Sequence, residues 1–329
     1  MSEIIERQVW MNGTFVPESE AKVSIFDSAL MYGDMVFEMT RSFNKKQFKL
    51  KEHLERLYAG IKILRIPLKM TIEEMEKHIY ETIEINDPLF EKDDEHRLMF
   101  EVSRGALGLY HSVKGIQKEQ NIIIADFPLR WTVSNMGHLF EKGINAVVPS
   151  QRAIPASLLD PKIKNRSRLF YMMANIEVSE YEGEDNWALL LDPDGFVAEG
   201  TGDNFFIVKN RTIITPEGRN ILRGISRAYI FELAEELKLN CIEKNIDIYD
   251  VYTADEAFMT GTPFGLLPVT SLNRVAIGNG KPGEVTKLLL DTWSKSVGVN
   301  IAEQIIRWSD RQTQSPSSPT PYSFKPNKK

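Results

Sequence analysis

Three features in the second half of the sequence combine a nucleophile, an anion and a phosphate cradle. Lys164 offers a primary amine in the stretch DPKIKN, where Lys162 is a rival two residues earlier. Glu199 offers a carboxylate in EGTGDN, whose glycines let the backbone pass close to a flat ring. The stretch from Gly224 to Ser226 opens a predicted helix, whose free N–H groups and dipole favour a phosphate dianion.

A reactive amine, a carboxylate for a ring nitrogen and a phosphate cradle are the parts that pyridoxal phosphate (PLP) chemistry needs. Their order and surroundings resemble the class IV, or fold-type IV, PLP aminotransferases. That family includes branched-chain, D-amino-acid and (R)-amine aminotransferases and 4-amino-4-deoxychorismate lyases. The resemblance extends from about residue 8 to about residue 305. It implies an α/β (α+β) fold with a smaller N-terminal α/β domain and a larger C-terminal pseudo-barrel domain.

The resemblance also implies a role for individual residues. Lys164 would hold the cofactor as a Schiff base and transfer the substrate proton, while Glu199 would contact the pyridine nitrogen. Asn204 would hold the loop of Glu199 in place. The phosphate contacts implied by the family are Arg56, Ile225, Ser226 and Thr262. Taken without its context, Lys164 would be interpreted as a surface lysine. The alternative for Arg56 is a helix-surface ion pair with Glu52.

The substrate pocket is less clearly defined by the sequence. The residues that match pocket positions of the family are Tyr32, Phe37, Arg97, His111 and Pro263. Leu169 stands where branched-chain enzymes have a tyrosine five residues after the lysine, and Pro263 has no N–H for a substrate carboxylate. Leu109 replaces the carboxylate-binding arginine of the D-amino-acid enzyme, and Met39 replaces a threonine of the lyase.

The predicted reaction is therefore the transfer of an amino group between an amino acid or primary amine and a 2-keto acid. The alternative is a PLP-dependent lyase that releases pyruvate, because it would use the same cofactor residues. A member of the fold without turnover is disfavoured, since the set of Lys164, Glu199, Arg56 and Ser226 is intact.

Composition restricts the class and compartment of the protein. A net charge of −6 and a pI near 5.6 argue against a nucleic-acid partner. Cys241 is the single cysteine, so a disulfide within the chain is excluded. The five histidines lack metal-binding spacing, and no 18-residue apolar run or signal peptide is apparent. We expect a cytoplasmic protein without a metal, and the family resemblance implies a homodimer or a higher homo-oligomer.

The 329 residues favour two domains. We expect a smaller domain at 1–148, a linker at 149–161 with three prolines, a larger PLP-binding domain at 162–312 and a disordered tail at 313–329. Asn12-Gly13 predicts a hairpin, and Thr71 with Glu74 predicts a capping box. The last predicted helix covers Glu284 to Val297.

Overall fold

The computed structural model describes residues 6–311, and the predicted tail at 313–329 lies outside them. The chain divides into two compact units. The first contains the chain up to Trp131 together with Ile163–Arg168, and the second contains Thr132–Lys162 and the chain from Leu169 onward. Lys164 therefore belongs to the first unit. The domain and linker boundaries expected from the sequence stay a prediction.

The first unit combines short strands with two long helices. Its elements are β1 (Gln8–Met11), β2 (Thr14–Pro17), α1 (Ser28–Tyr32), β3 (Met35–Met39), β4 (Ser42–Phe43), β5 (Lys46–Gln47), α2 (Leu50–Leu64), α3 (Ile72–Asn86), β6 (His96–Ser103) and β7 (Ile122–Pro128). Five of the strands form an antiparallel sheet in the order β2-β1-β7-β6-β3, and β4 pairs with β5. One face of this sheet packs with α2 and α3 around Leu54, Met75 and Phe100.

Two local predictions are confirmed in this unit. Asn12 and Gly13 both have positive φ, and they connect β1 to β2 with Val9 opposite Val16. Thr71 begins α3 as a capping box: its Oγ1 accepts from Glu74 N at 3.2 Å, and its N donates to Glu74 Oε2 at 2.7 Å. Local sequence thus determined both the hairpin and this helix start.

The second unit is larger and richer in strands. Its elements follow a connecting helix, α4 (Arg130–Val133), and are α5 (Leu139–Lys142), β8 (Ile144–Val147), α6 (Leu169–Ser179), β9 (Asn186–Leu191), β10 (Val197–Gly200), β11 (Asn204–Lys209), β12 (Thr212–Thr215), α7 (Ile225–Glu236), β13 (Cys241–Glu243), α8 (Ile248–Tyr252), β14 (Glu256–Gly261), β15 (Gly265–Leu272), β16 (Val275–Ala276), α9 (Glu284–Val297) and α10 (Ile301–Arg311).

The strands of the second unit close into a ring. The strand order runs β10-β9-β8-β15-β14-β11, and β10 also pairs with β11 through Glu199 and Asn204. Six strands therefore form a barrel-like sheet, as the predicted pseudo-barrel requires, with β12 and β13 extending from β11. Glu199 lies at the seam where the ring closes.

The prediction that the helix at Glu284–Val297 is the last one was wrong. After Gly298 the chain forms α10, which buries Ile301, Ile305 and Trp308 one helical turn apart. Its short apolar stripe, next to a glycine, was too brief a signal to recognise from periodicity. None of the helices within residues 6–311 combines the length and the apolar character that crossing a membrane requires.

Candidate active site

The segment that carries Lys164 lies along the edge strand β3. Asn165 forms a β-bridge with Val36, and Phe37 N donates to Lys164 O at 3.0 Å. This backbone contact places Lys164 Nζ 4.9 Å from the centroid of the Phe37 ring. The strand therefore positions the predicted nucleophile directly over a residue of the predicted pocket.

The segment after the lysine is held by hydrogen bonds between its side chains and backbone groups, both within the segment and on Tyr32. Asn165 Oδ1 accepts from Ser167 N at 2.8 Å, and Ser167 Oγ donates to Tyr32 O at 3.1 Å. Gly33 has φ +68°, and a Cβ there would lie 2.4 Å from Ser167 Oγ. Only glycine fits at this position, because both the backbone conformation and the space exclude a side chain.

Three cations surround the Phe37 ring. Besides Lys164, the Arg166 guanidinium lies 3.7 Å and that of Arg168 5.6 Å from its centroid. Arg166 Nε also donates to Glu101 Oε1 at 2.9 Å. Aromatic faces attract cations, so Phe37 collects positive charge around Lys164. Such a region suits an anionic substrate or cofactor.

Lys162 has different surroundings from Lys164. Its Nζ forms an ion pair with Asp160 Oδ1 at 2.8 Å and donates to Arg219 O at 3.3 Å, within the second unit. These contacts engage the Lys162 amine within the second unit. The assignment of Lys164 rather than Lys162 as the reactive amine stays a prediction.

Arg97 is a buried cation on the same sheet face as Phe37. It is 8% exposed, and its Nη2 lies 3.5 Å from Met39 Sδ. Its Nε and Nη1 have no hydrogen-bond partner among residues 6–311. Burial lowers the pKa of the Arg97 guanidinium to about 10. Burying a charge without an ionic partner costs free energy, so a bound anion would stabilise Arg97.

On the opposite face of β3, Arg56 makes a bidentate contact with Glu38. Arg56 Nε lies 2.5 Å from Glu38 Oε1, and Nη2 lies 2.8 Å from Oε2. His53 Nδ1 donates to the same Oε2 at 2.8 Å. Burial alone would raise the pKa of Glu38, but Arg56 and His53 hold it well below its usual range. Burial lowers the pKa of His53, although Glu38 opposes that shift.

Glu52, the helix-surface partner considered for Arg56, forms an ion pair with Lys49 at 3.5 Å. The guanidinium plane of Arg56 is held by its two contacts to Glu38. A fixed guanidinium is suited to bidentate recognition of a phosphate. The phosphate role of Arg56 stays a prediction.

Glu199 is 4% exposed and accepts hydrogen bonds on both carboxylate oxygens. Tyr171 Oη donates to Oε1 at 2.6 Å, while Asn204 Nδ2 and Leu222 N donate to Oε2, each at 3.0 Å. Donors on both oxygens suit a carboxylate, which can only accept hydrogen bonds. The structure thus places Asn204 beside Glu199, as the proposed second partner of that loop.

Gly200, next to Glu199, has little space for a side chain because of a residue in its own turn. This restriction is separate from the expected need for the backbone to pass close to a flat ring. A Cβ at Gly200 would lie 2.1 Å from Asp203 Oδ1, inside the same turn. The turn connects β10 to β11 and brings Asn204 back opposite Glu199. The glycine therefore permits the tight loop that closes the barrel.

The predicted phosphate cradle at the start of α7 is tied to this cluster. Asn204 Nδ2 also donates to Leu222 O at 2.9 Å, and a Cβ at Gly224 would lie 2.1 Å from Asn204 Oδ1. Ile225 is the first helical residue, and Ser226 is buried at 6% exposure. The N-terminal N–H groups of a helix this long suit a phosphate.

The second predicted phosphate loop is a tight hairpin. Thr262 and Pro263 lie between β14 and β15, where Gly261 pairs with Gly265. A Cβ at Gly261 would lie 2.7 Å from the Phe264 ring, so that glycine lets the turn pack closely. The hairpin presents Thr262 at a partly buried position.

The remaining pocket predictions are less closely placed. Tyr32 ends α1 and is 66% exposed, whereas Phe37 is buried at 2%. His111 Nε2 contacts Ala106 O at 3.0 Å within its own loop, and Leu109 is 71% exposed. The substrate roles of Tyr32, His111 and Pro263 stay predictions.

The sequence analysis did not identify Glu38, His53 or Tyr171. A signal existed for Glu38, because it is a charged residue on the inward-facing side of a strand, between Val36 and Thr40. Tyr171 gave no such signal, since a tyrosine in the first turn of a helix is ordinary. Its contact depends on Glu199, which is distant in the chain.

Comparison with known proteins places this geometry in a family. Residues 35–272 match the family model described as amino-transferase class IV. The chain belongs to the class IV aminotransferases. It is 40% identical to a putative branched-chain-amino-acid aminotransferase of Methanocaldococcus jannaschii, over 86% of this chain and 93% of that protein. It is 31% identical to the branched-chain-amino-acid aminotransferase of Escherichia coli K12, over 85% and 89% of the two chains.

A solved structure gives the same result for the fold. The T.th. branched-chain amino acid aminotransferase, complexed with N-(5'-phosphopyridoxyl)-L-glutamate, has a TM-score of 0.76 and 30% identity and covers 90% of this chain and 96% of its own. The predicted fold-type IV architecture is confirmed. This class IV enzyme is a PLP-dependent aminotransferase, and nothing in the comparisons favours the lyase alternative.

The residues present fit that cofactor. The chain supplies an amine held on β3, a buried carboxylate that accepts hydrogen bonds on both oxygens, and a helix start at a closely packed glycine. Lys164, Glu199 and Ser226 are the predicted members of these three groups. When bound, PLP supplies the electron sink that makes amino-group transfer feasible.

Proposed function

We propose that this enzyme transaminates branched-chain amino acids and their 2-keto acids. The observation that carries the proposal is Arg97, a buried guanidinium with two nitrogens unpaired among the described residues, beside an apolar surface. Arg97 would bind a substrate carboxylate. Phe37, Met39 and Met99 share its face of the sheet and would contact an aliphatic side chain.

The relatives support the same substrate class. The proteins of M. jannaschii and E. coli that this chain resembles are both named for branched-chain amino acids. The chain departs from the branched-chain pattern at two positions. Leu169, which is 73% exposed, stands in place of the tyrosine, and Pro263 offers no N–H to a substrate carboxylate. Arg97 compensates for the lost N–H in this proposal, because a guanidinium binds a carboxylate through two parallel hydrogen bonds.

Each catalytic task has a residue in this proposal. Lys164 would hold the cofactor and would transfer the proton at the substrate Cα. Glu199 would face the ring nitrogen of the cofactor, and Arg56, Ile225, Ser226 and Thr262 would hold its phosphate.

The test is a titration of the purified, PLP-loaded enzyme with L-leucine, D-alanine and (R)-1-phenylethylamine. The proposal predicts that L-leucine alone bleaches the visible cofactor band and that 4-methyl-2-oxopentanoate restores it. Bleaching by D-alanine or the (R)-amine instead would overturn the branched-chain assignment. Pyruvate release without a keto-acid acceptor would overturn transamination itself.

We also propose a cytoplasmic homodimer. Exposed apolar side chains of the first unit support a subunit contact, among them Ile25, Leu30, Tyr32 and Leu109. A single cysteine, Cys241, is compatible with a reducing compartment. Light scattering of the purified enzyme should give twice the mass of the chain, and a monomer would contradict the proposal. Limited proteolysis within residues 149–161 tests the predicted linker.

A further inference from the structure

Tyr171 makes a contact with Glu199 that the family resemblance did not lead us to expect. Its hydroxyl lies 2.6 Å from Glu199 Oε1, the length of a strong hydrogen bond between a hydroxyl and a carboxylate. Glu199 is 4% exposed, so water has little access to this contact. In the branched-chain enzymes a tyrosine follows the lysine by five residues, whereas this chain has Leu169 there, 73% exposed.

Packing fixes the ring of Tyr171 independently of its hydroxyl. The ring contacts that of Phe170 at 4.1 Å between centroids, and both pack on a core that includes Ala174, Leu190 and Ala198. The ring is thus held by apolar contacts. The hydroxyl can then be removed without removing that packing.

The two carboxylate oxygens of Glu199 are held by different parts of the fold. Oε2 accepts hydrogen bonds from Asn204 and from Leu222 N, while Oε1 accepts one from the Tyr171 hydroxyl on α6. Removing the hydroxyl would leave the negative charge of Oε1 less neutralised in a buried place and would let the carboxylate plane rotate. Both effects alter how the carboxylate meets a further donor.

We propose that Tyr171 is a positioning residue that, through its hydroxyl, sets the orientation and charge of the Glu199 carboxylate presented to the PLP ring nitrogen. The proposal rests on the assignment of Glu199 to that nitrogen in the proposed function. In this proposal Tyr171 acts on the Glu199 carboxylate. It differs in position from the tyrosine of the branched-chain enzymes, which follows the lysine by five residues.

The experiment is a double-mutant cycle with Tyr171→Phe, Glu199→Gln and the double variant in the holoenzyme. Three quantities are measured: the PLP dissociation constant, the pH midpoint of the visible cofactor band, and kcat with KM for the keto acid. Loss of a hydrogen bond to a charged group weakens an interaction by about tenfold or more. Tyr171→Phe should therefore weaken PLP binding and lower kcat by about tenfold, with KM within about twofold.

The band midpoint should move by about half a pH unit or more, because the proton affinity of the ring depends on the carboxylate. In the Glu199→Gln background, the same substitution should change the dissociation constant by less than about twofold. Tyr252→Phe is the matched control, since it removes a hydroxyl that accepts a hydrogen bond from Asn273 Nδ2 at 3.2 Å, outside the site. It should match the wild type in all three measurements.

Each of the other possible outcomes would contradict a specific part of the proposal. Equal effects of Tyr171→Phe in both backgrounds, or an unmoved band midpoint, would show that Tyr171 acts through packing and not through Glu199. A strong effect of Glu199→Gln with none from Tyr171→Phe would overturn this proposal alone. A Glu199→Gln enzyme with unchanged PLP affinity and spectrum would overturn the Glu199 assignment as well. Thermal melting of every variant separates these results from unfolding.

Discussion

The two faces of the sheet in the first unit differ in whether their buried charges have partners. On the helix-covered face, Glu38 is fully buried, but Arg56 and His53 hold both of its oxygens. On the other face, Arg97 is buried with two nitrogens lacking partners within the described residues. Two neighbouring strands of the same sheet, β3 and β6, thus carry one balanced and one unbalanced charge.

The difference separates structure from function in this unit. The loss of either partner of a balanced buried pair is destabilising, because the remaining charge cannot be solvated. An unbalanced charge lowers stability and is retained where a ligand completes it. We therefore expect Glu38 variants to fail in folding and Arg97 variants to fail in substrate binding.

The largest effect should come from Lys164→Ala, which removes the amine placed over Phe37 at the face of Arg97. Loss of a proton-transferring residue costs about 10²- to 10⁴-fold in rate. After borohydride treatment with PLP, peptide mass spectrometry should find modified Lys164 in the wild type and no modified lysine in the variant. Modification of Lys162 in the variant would point to that residue as the reactive amine.

Glu38→Gln should destabilise the balanced face by about 3–5 kcal/mol, because Arg56 and His53 lose a buried ionic partner. Urea denaturation of the apoenzyme measures the free energy of unfolding. Glu55→Gln is the matched control, since Glu55 lies on the exposed side of α2 with Lys51. Equal losses in the two variants would contradict the importance of the buried pair.

Arg97→Met should have the opposite profile. The unbalanced cation is removed, so the free energy of unfolding should stay equal or rise, because an apolar side chain replaces an unpaired charge. KM for the keto acid should rise by about 10- to 100-fold, the value of a lost charge-assisted contact. A destabilised enzyme with normal KM would reverse the comparison between the two faces.

The pH dependence of stability should follow Glu38. Its folded pKa is lowered by Arg56 and His53, so its contribution is present above the unfolded pKa of roughly 4.3 and is lost as the pH falls below it. Unfolding at pH 3 to 7 should show this loss in the wild type. Glu38→Gln should show a flatter profile across the same range, and an unchanged slope would exclude Glu38 as its source.

Thr71→Ala should have the smallest effect, about 1 kcal/mol, because it removes the side-chain cap of α3 without touching a charge. It provides a scale for an uncharged loss on the helix-covered face. Differential scanning calorimetry would measure it. A loss as large as that of Glu38→Gln would mean that local contacts, rather than the buried pair, dominate this face.

Local chemistry explains what could be predicted. The Asn12-Gly13 hairpin and the Thr71 cap depend on residues a few positions apart, and both were recognised. The helix at Ile301–Arg311 was missed, because a short apolar stripe resembles a loop when its packing partners are unknown. The proximity of Asn204 to Glu199 was expected, since the two face each other across one tight turn.

By itself, the sequence determined the family and the cofactor and predicted the reactive groups, because residue types in a fixed order specify which atoms can react. Only the tertiary structure decided which charges are balanced. Glu38 meets Arg56, Tyr171 meets Glu199, and two nitrogens of Arg97 lack a hydrogen-bond partner among the described residues. Each of these contacts, or its absence, depends on strands and helices brought together by burial, which local residue pattern does not encode.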